Sequence, residues 1–496
     1  MAEVGAPDAD LRLTIADESA IGAAGEAVRS CAADRGLGAE RSLRMQAVVE
    51  ELVREAFARE ALVGNHAVTV EIFFDGSSLA VEVGDQRLPI SADEARHLPS
   101  RRLHRLGMVD SLRVGFRGSE GNSVRCEARL DRGFGDDHDH IDPVDAHDGD
   151  SEEDANLADA VEIRAMEPSD AEGLVRCLYR CYGYSYPDHS LYDVSMIRAR
   201  LRRGMMRSVI AVLPDGEIVG HIAYVYERLG DSIPESGRLI VDPRLRGRHL
   251  ADRMAIVRDE IARDLGVKGM WAKAVTNHAA SQKVCLTLGS VETGLAIGSQ
   301  PSGVSMAGMP NPHGGWRSLL IFFRAFRSIG PREIYVPEDL RPLVALLAER
   351  LGIDRTFAAE ASGILQGRTG IEIDLALAHG LAHLRVTSIG SDVVARVSDE
   401  VSALAHLSLG AIHLDVPLAD PSAPMAIEAL ERLGFAWSGW IPEFAPSGDV
   451  IRLQRVGDHP VDLESIVYAR SEARDLGEVA IAQWQRVRRV TLGVAR

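Results

Sequence analysis

The stretch R-L-I-V-D-P-R-L-R-G-R-H-L-A-D-R-M, residues 238–254, decides how the rest of the chain reads. An apolar strand ends at Val241, and Pro243, which has no N–H to give a ladder, stops it. A loop of Arg and Gly follows and leads into a helix that runs to about Leu265. Such a helix start offers unpaired first-turn N–H groups and the positive end of the helix dipole. Together these favour a phosphate or diphosphate, and Arg246 and Arg248 add charge where it would sit.

Working outward, V-E-I-R-A-M (161–166) reads as a strand, and Ser169 caps a helix that runs to Tyr182. A helix at about 194–203 follows. S-V-I-A-V-L (208–213) and E-I-V-G-H-I-A-Y-V-Y (217–226) are strands joined by the turn P-D-G. S-G-R-L-I-V (236–241) and G-M-W-A-K-A-V (269–275) are strands, N-H-A-A-S-Q-K-V-C-L-T-L-G (277–289) is a helix ending at Gly, and V-E-T-G-L-A-I-G (291–298) closes the block. The order is strand–helix–helix–strands–loop–helix–strand–helix–strand.

This block, 160–300, resembles the GNAT acetyltransferase superfamily. Arg246-Gly247-Arg248-His249-Leu250-Ala251 is similar to that family's Gln/Arg-x-x-Gly-x-Gly/Ala motif after a V-D-P strand, with His249 in the first Gly position. Asn277, Ala280 and Leu288-Gly289 are similar to its second motif. The resemblance implies an N-acyltransferase with acetyl-CoA as co-substrate, attacked directly by an amine of unknown identity, a small molecule or a protein lysine. It places a backbone N–H of Ile240–Val241 against the thioester oxygen. The diphosphate then lies on Leu245 to Ala251, and Asn277 and Ser281 line the pantetheine and nucleotide arm. Glu235 and Glu227 are the candidates for the base. The family's usual acid is a Tyr on the last helix; counted back from Leu288-Gly289, that position is Cys285. His249 reads either as a solvated loop side chain or as a group crowding the diphosphate.

A third block, 331–496, holds strands at 332–337, 371–377, 382–389, 410–416, 436–444 and 449–455 and helices at 338–351 and 421–435. Its strand–helix–L-G-F–strand order resembles the C-terminal half of the same family. No Arg/Gly loop precedes it, so it reads as a second GNAT-like domain without an acetyl-CoA site. Trp437, Trp440 and Phe444 either line an acceptor pocket or pack between sheet and helix. The tail ends in a basic helix, Gln483 to Arg489.

The first block, 1–130, has an amphipathic helix at 43–62, a hairpin of 68–74 and 78–83, and a closing strand at 122–130. It resembles the GHKL ATPase fold of the anti-sigma-factor serine kinase type. In that resemblance Glu51 stands at the water-activating position, Glu55 replaces the magnesium-ligating Asn, Asp85 keeps the adenine-recognising position and Gly107 keeps a loop glycine. Arg87 and Arg105 replace two glycines whose bare backbone lets phosphate approach. The resemblance implies ATP with magnesium as ligand, in a regulatory nucleotide-binding domain or a dead ATPase with a protein partner. The fold class is α/β and α+β in several domains: an N-terminal sandwich, an acidic linker, and two mixed-sheet domains.

At 496 residues the chain has room for two to four domains, and its 46% hydrophobic and 26% charged composition is that of a soluble globular protein. The formal charge of −18 is concentrated in 131–159, which holds twelve Asp/Glu against one Arg. That stretch reads as a flexible acidic linker. Residues 301–330, rich in Gly, Pro, Ser and Asn over 300–316, read as a connector. Net acidity disfavours nucleic acid as a partner, and the longest apolar run, Leu319 to Phe323, is too short to span a membrane. Five cysteines give neither a disulfide framework nor a metal site, Cys177 and Cys181 being one helical turn apart without a second pair. With no secretory signal in view, a cytoplasmic protein is expected, and three Lys against 52 Arg suggest a GC-rich bacterial source. A rival to the enzyme is a non-catalytic sensor scaffold binding nucleotide or CoA, motivated by the departures at Glu55, Arg87, Arg105, His249 and Cys285 and by the missing loop of the third block.

Overall fold

The computed structural model describes residues 9–62, 67–130, 161–228, 231–301, 315–358 and 367–491. The acidic linker expected at 131–159 lies outside them, as does most of the Gly/Pro-rich part of the connector.

The first domain is one antiparallel sheet with helices on one face. In chain order it comprises β1 (Leu11–Ile15), α1 (Ile21–Asp34), α2 (Ala39–Ala58), β2 (Val68–Phe74), β3 (Ser78–Asp85), α3 (Ala92–His97), α4 (Pro99–Arg105), β4 (Ser111–Phe116) and β5 (Asn122–Arg129). The strand order is β1-β2-β3-β5-β4, so the strand expected to close the sheet lies inside it. Helix α2 buries Met45, Val48, Val49, Leu52 and Val53, and the sheet answers with Val70, Ile72, Val81 and Val83. The period of 3.6 on α2 and of 2 on β2 made these elements readable.

The second region comprises β6 (Glu162–Ala165), α5 (Ala171–Tyr182), α6 (Val194–Arg202), β7 (Met206–Val212), β8 (Ile218–Val225), β9 (Glu235–Val241), α7 (Leu250–Asp264), β10 (Gly269–Val275), α8 (Ala280–Thr287), β11 (Val291–Gln300) and β12 (Arg317–Ala325). Strand β12 falls within the stretch read as a connector, yet it sits between β10 and β11 in the sheet. The apolar run Leu319 to Phe323 is therefore a central strand, covered on both faces: Leu320, Ile321, Phe322 and Phe323 are fully buried.

The third region comprises β13 (Arg332–Ile334), α9 (Arg341–Leu351), β14 (Arg355–Phe357), β15 (Gly370–Ala376), β16 (Leu381–Ser388), α10 (Val393–Leu404), β17 (Ala411–Pro417), α11 (Ala423–Glu431), β18 (Ala436–Ala445), β19 (Gly448–Val456) and α12 (Ser471–Thr491). The second and third regions share one sheet of twelve described strands, ordered β15-β16-β17-β19-β18-β11-β12-β10-β9-β8-β7-β6. From its middle outward, each half runs in the same pattern: β18-β19-β17-β16-β15 against β11-β12-β10-β9-β8. The halves meet where Gly294 pairs with Gly439. A Cβ on Gly294 would lie 2.1 Å from the Ser438 carbonyl oxygen, so only glycine permits this join. Helix α12 packs on β11 and β18 and buries Leu476, Ala480, Trp484 and Val487. It covers the join, and the basic segment foreseen at 483–489 is its C-terminal part.

Trp437 and Trp440 are buried in the core under β18, with Trp440 Nε1 donating to Asp449, and Phe444 meets Trp271 edge-on at 5.6 Å. They are packing groups, not an acceptor pocket. Cys177 and Cys181 are buried on the core face of α5. No helix of the described residues is long and apolar enough to cross a membrane.

Candidate active site

Strands β9 and β10 are parallel but pair only at Trp271 with Glu235 and Ala272 with Ser236. Beyond Ser236 they part. The cause is visible in β9: Arg238 has φ of +55°, and the register with β8 shifts between His221 and Ala223. A bulge of this kind bends a strand away from its neighbour. Buried His221 fixes it, through Nδ1 to the Arg238 carbonyl at 2.8 Å and Nε2 to Ser208 Oγ at 3.0 Å. A carbonyl only accepts, so Nδ1 carries the proton and Nε2 accepts from the serine. Burial lowers the His221 pKa to about 4, which keeps the ring neutral.

The opened edge presents backbone. Asp242 N–H donates to the Val219 carbonyl on β8, so by strand alternation the N–H of Val241 points the other way, into the gap. The carbonyl of Val241 faces the same side and accepts from Arg246 Nε at 3.3 Å. Ile240 belongs elsewhere: its side chain is fully buried in the core and its N–H faces β8. Of the two residues expected to face a thioester, only Val241 is placed to do so.

The turn after β9 is held by buried Asp242, which accepts from Arg180, Arg244 and the Arg244 N–H. Leu245 anchors the turn from below, and Gly247 has φ of +79°. His249 is the N-cap of α7 at φ +56°, a left-handed conformation that glycine adopts freely and that His tolerates better than most. Its side chain makes no capping hydrogen bond and is 84% exposed, with Nδ1 at 3.3 Å from Asp252. The imidazole therefore stands outside the turn, and the first-turn amides of α7 keep their outward N–H groups. Exchange of His249 for Gly is expected to raise stability by about 0.5–1 kcal/mol, the left-handed strain relieved less the entropy that glycine adds to the unfolded chain. A denaturant midpoint checks this; a fall instead would show that the contact with Asp252 holds the loop.

On the other lip, Asn277 Oδ1, His278 Nδ1 and Ser281 Oγ at the start of α8 are buried without a hydrogen-bond partner. Cys285 does not join them. It packs against the main core cluster, where burial raises its thiol pKa to about 11. It is a packing residue and does not line the cleft.

Along the parted strands, lined by Glu235–Leu239 of β9 and by Lys273 and Val275 of β10 but not by Val241, the turn 245–251 or Asn277, lies a cavity of about 790 Å³, whose walls also include Tyr182, Tyr186, Glu227 and Ser281. The two candidate bases differ sharply. Burial pushes Glu235 upward, but Lys273 at 3.3 Å and Arg238 at 3.1 Å outweigh it and hold its pKa at about 2. Glu227 is raised, chiefly by burial, with Arg452 and Lys273 opposing. It also pairs with Arg385 at 3.2 Å. Of the two, only Glu227 has its proton affinity raised above the ordinary carboxylate value. Tyr182 and Tyr186, with rings 5.4 Å apart, face the same cavity, and burial raises both phenols. Sequence reasoning missed them, although Y-G-Y-S-Y (182–186) crowds three of the chain's nine tyrosines into five residues.

In the third region the corresponding turn is closed. β16 and β17 pair without a gap over Leu381–Arg385 and Ala411–Asp415. The turn before α10 is covered by residues 367–369: Gly390 N–H donates to Thr369 Oγ1, Ser391 N–H to the Gly367 carbonyl and Thr369 N–H to Asp392.

The four positions expected to hold a nucleotide in the first domain are engaged by protein. Asp85 accepts from Arg59, from Asn122 at 2.8 Å and from the Arg87 N–H at 3.0 Å. Glu55 accepts from the N–H and hydroxyl of Ser100, and Glu51 pairs with Arg54. Gly107, at φ +71°, ends α4. The buried Arg87 guanidinium fills the space beside Asp85, donating to the carbonyls of Phe57 and Arg59. Helix α5 and the residues just after it then cover the same loop: Tyr179 and Tyr184 donate to the carbonyls of Gln86 and Arg87, Arg176 to that of Pro89, and Glu172 accepts from the Ala92 N–H.

Residues 171–289 match the model of the acetyltransferase (GNAT) family. No curated protein matches the chain. Among solved structures, the ribosomal-protein-S5-alanine acetyltransferase from Vibrio fischeri is 16% identical, with 35% of this chain and 96% of that one covered at a TM-score of 0.28. The ribosomal-protein-alanine N-acetyltransferase from Brucella melitensis is 20% identical, covering 33% and 99% at 0.27. It is the family match that identifies this part of the chain. Residues 171–289 form a domain of the acetyltransferase (GNAT) family.

Proposed function

We propose that the chain transfers the acetyl group of acetyl-CoA to a primary amine in the cleft between β9 and β10, and that the third region is a second GNAT-like domain that binds no acetyl-CoA. The observation that carries this is the parted edge at Val241 followed directly by the uncapped, unplugged start of α7. Bound acetyl-CoA supplies an activated acyl thioester. The diphosphate-binding positions are Arg246 to Ala251, with Arg246 and Arg248 giving charge-assisted contacts. Asn277 and Ser281, whose buried side-chain atoms lack partners, fit the polar groups of the pantetheine arm. The Val241 N–H is the donor aimed at the carbonyl oxygen, where negative charge develops. Glu227 takes the proton of the attacking amine, and Tyr182 or Tyr186, which line the cavity, protonates the departing thiolate. Calorimetry on the full chain tests the reading: acetyl-CoA is expected to bind, and folded protein giving no heat would reject it.

The first domain is a regulatory module on the GHKL plan, whose partner at the loop after β3 is this chain's own α5. The internal saturation of Asp85 and Glu55 supports a domain that does not use ATP. ATP with Mg²⁺ is expected to leave the melting temperature of the full chain unchanged, because any ligand of the native state must raise it. A concentration-dependent rise would restore nucleotide binding. Binding of acetyl-CoA without turnover across an amine panel would favour the sensor alternative.

A further inference from the structure

We infer that the acceptor is a small amine bearing further hydroxyl or amide groups, and that the C-terminal half-sheet selects it through His383, with Asp374 at the rim; this rests on the acyl-transfer reading above. The cavity at the parted strands is not enclosed by the acetyltransferase domain alone. Its remaining wall is the β15–β16 hairpin, which contributes Asp374, His379 and His383. That hairpin is clamped across the cleft by Arg385, which pairs with Glu227 at 3.2 Å and Asp231 at 3.1 Å, and by the ion pair of Arg228 with Glu372. The third region's own turn is covered by residues 367–369, yet its hairpin closes its neighbour's pocket.

The polar lining says what would fill the space. Apart from Ser281, given above to the pantetheine arm, Gln300 Oε1, His278 Nδ1 and His383 Nδ1 are buried atoms with no hydrogen-bond partner, all on residues that line this one cavity. A buried polar atom left unmatched costs about 1–3 kcal/mol, so three around one space mark it as built for a ligand with several hydrogen-bonding groups. The carboxylates deeper in are neutralised, Glu235 by Lys273 and Arg238, and Asp188 by Arg238. Behind His383 stands His413, ring to ring at 5.0 Å, itself bonded to Ser299 Oγ at 2.9 Å. Burial holds both rings neutral, so His383 meets the acceptor as a hydrogen-bonding group, not a charge. Asp374, exposed at the rim, is in no ion pair among the described residues. A volume of about 790 Å³ suits a small molecule, and the clamped hairpin stands where a folded protein carrying the amine would need to approach.

The test uses the full chain and thermal shift with glucosamine, cadaverine or a lysine-containing peptide, each alone and then with acetyl-CoA. Glucosamine is expected to raise the melting temperature; cadaverine, which lacks hydroxyls, and the peptide are not. His383→Ala should abolish that rise and keep the rise with acetyl-CoA. His383→Gln and Asp374→Asn, which preserve size, should weaken the amine roughly tenfold, the loss of about 1.4 kcal/mol. Equal stabilisation by cadaverine or the peptide, no stabilisation by any amine, or unaltered glucosamine binding in the variants would overturn the proposal. Loss of acetyl-CoA binding in these variants would overturn it too, by placing His383 in the cofactor arm. If glucosamine binds the wild-type chain and acetyl-CoA does not, the acyl-transfer reading falls while the acceptor pocket stands.

Discussion

Glu227→Gln is expected to lower kcat/KM roughly a hundred- to a thousandfold, the range a positioned general base supplies. The sign of the pH dependence follows from its environment. Burial raises the Glu227 pKa above the usual carboxylate value. The wild-type rate therefore falls as pH drops through that raised value, because the protonated acid accepts nothing. In Glu227→Gln this acid limb disappears, and what activity remains is flat across the same range. Glu235→Gln should keep the limb, since a carboxyl titrating at about 2 is ionised throughout. Folding is not at issue for Glu227→Gln, because Arg385 keeps Asp231 as its second partner. A pH–rate profile for both variants, with any amine that turns over, decides the matter: if the limb vanishes in Glu235→Gln and persists in Glu227→Gln, the base has been misassigned.

The joint change Arg246→Ala and Arg248→Ala should weaken acetyl-CoA by about 3 kcal/mol, near a hundredfold, since each charged hydrogen bond to phosphate is worth roughly 1.5–3 kcal/mol and both lie near solvent. Acetyl-pantetheine, which lacks the diphosphate, should lose nothing. The gap between the two ligands should narrow as salt rises. Calorimetry with both ligands gives the comparison. An equal loss for both would mean that the arginines hold the loop instead of the phosphates, through contacts such as Arg246 Nε to the Val241 carbonyl. A loss for neither would remove the diphosphate from this turn.

Elements whose period is strong and local were legible in the residues. Strand β10 has the expected bounds, β9 and α8 lie within three residues of theirs at each end, and α7 ends one residue before the expected Leu265. The loop of Arg246 to Ala251 was legible because a diphosphate seat needs a strand end, small turn residues and a helix start in immediate succession. Strand β12 was not, because a continuous apolar run reads alike as a buried strand or a segment of unknown cover, and its place between β10 and β11 is set by pairing across distance. Cys285 was misplaced because counting along a helix gives a position and not the face turned toward the cleft. Glu227 and Glu235 looked equivalent, as both are acidic residues at the connection between β8 and β9. What separates them is the arrival of Lys273 and Arg238 at one and of Arg385 at the other.

By itself the sequence determined the local chemistry: an acetyltransferase-like strand, turn and helix at 238–265, a repeated pattern downstream without its loop, and a first block whose nucleotide residues had changed. Only the tertiary structure decided which of those residues act together. It turned Asp85 and Glu55 inward, parted β9 from β10 at a bulge held by His221, and brought His383 to a pocket more than a hundred residues upstream. The physical reason is that hydrogen-bond periodicity and turn preferences act over a few residues. Burial and charge pairing, which set a carboxylate's proton affinity and the shape of a cavity, depend on groups that only folding brings near.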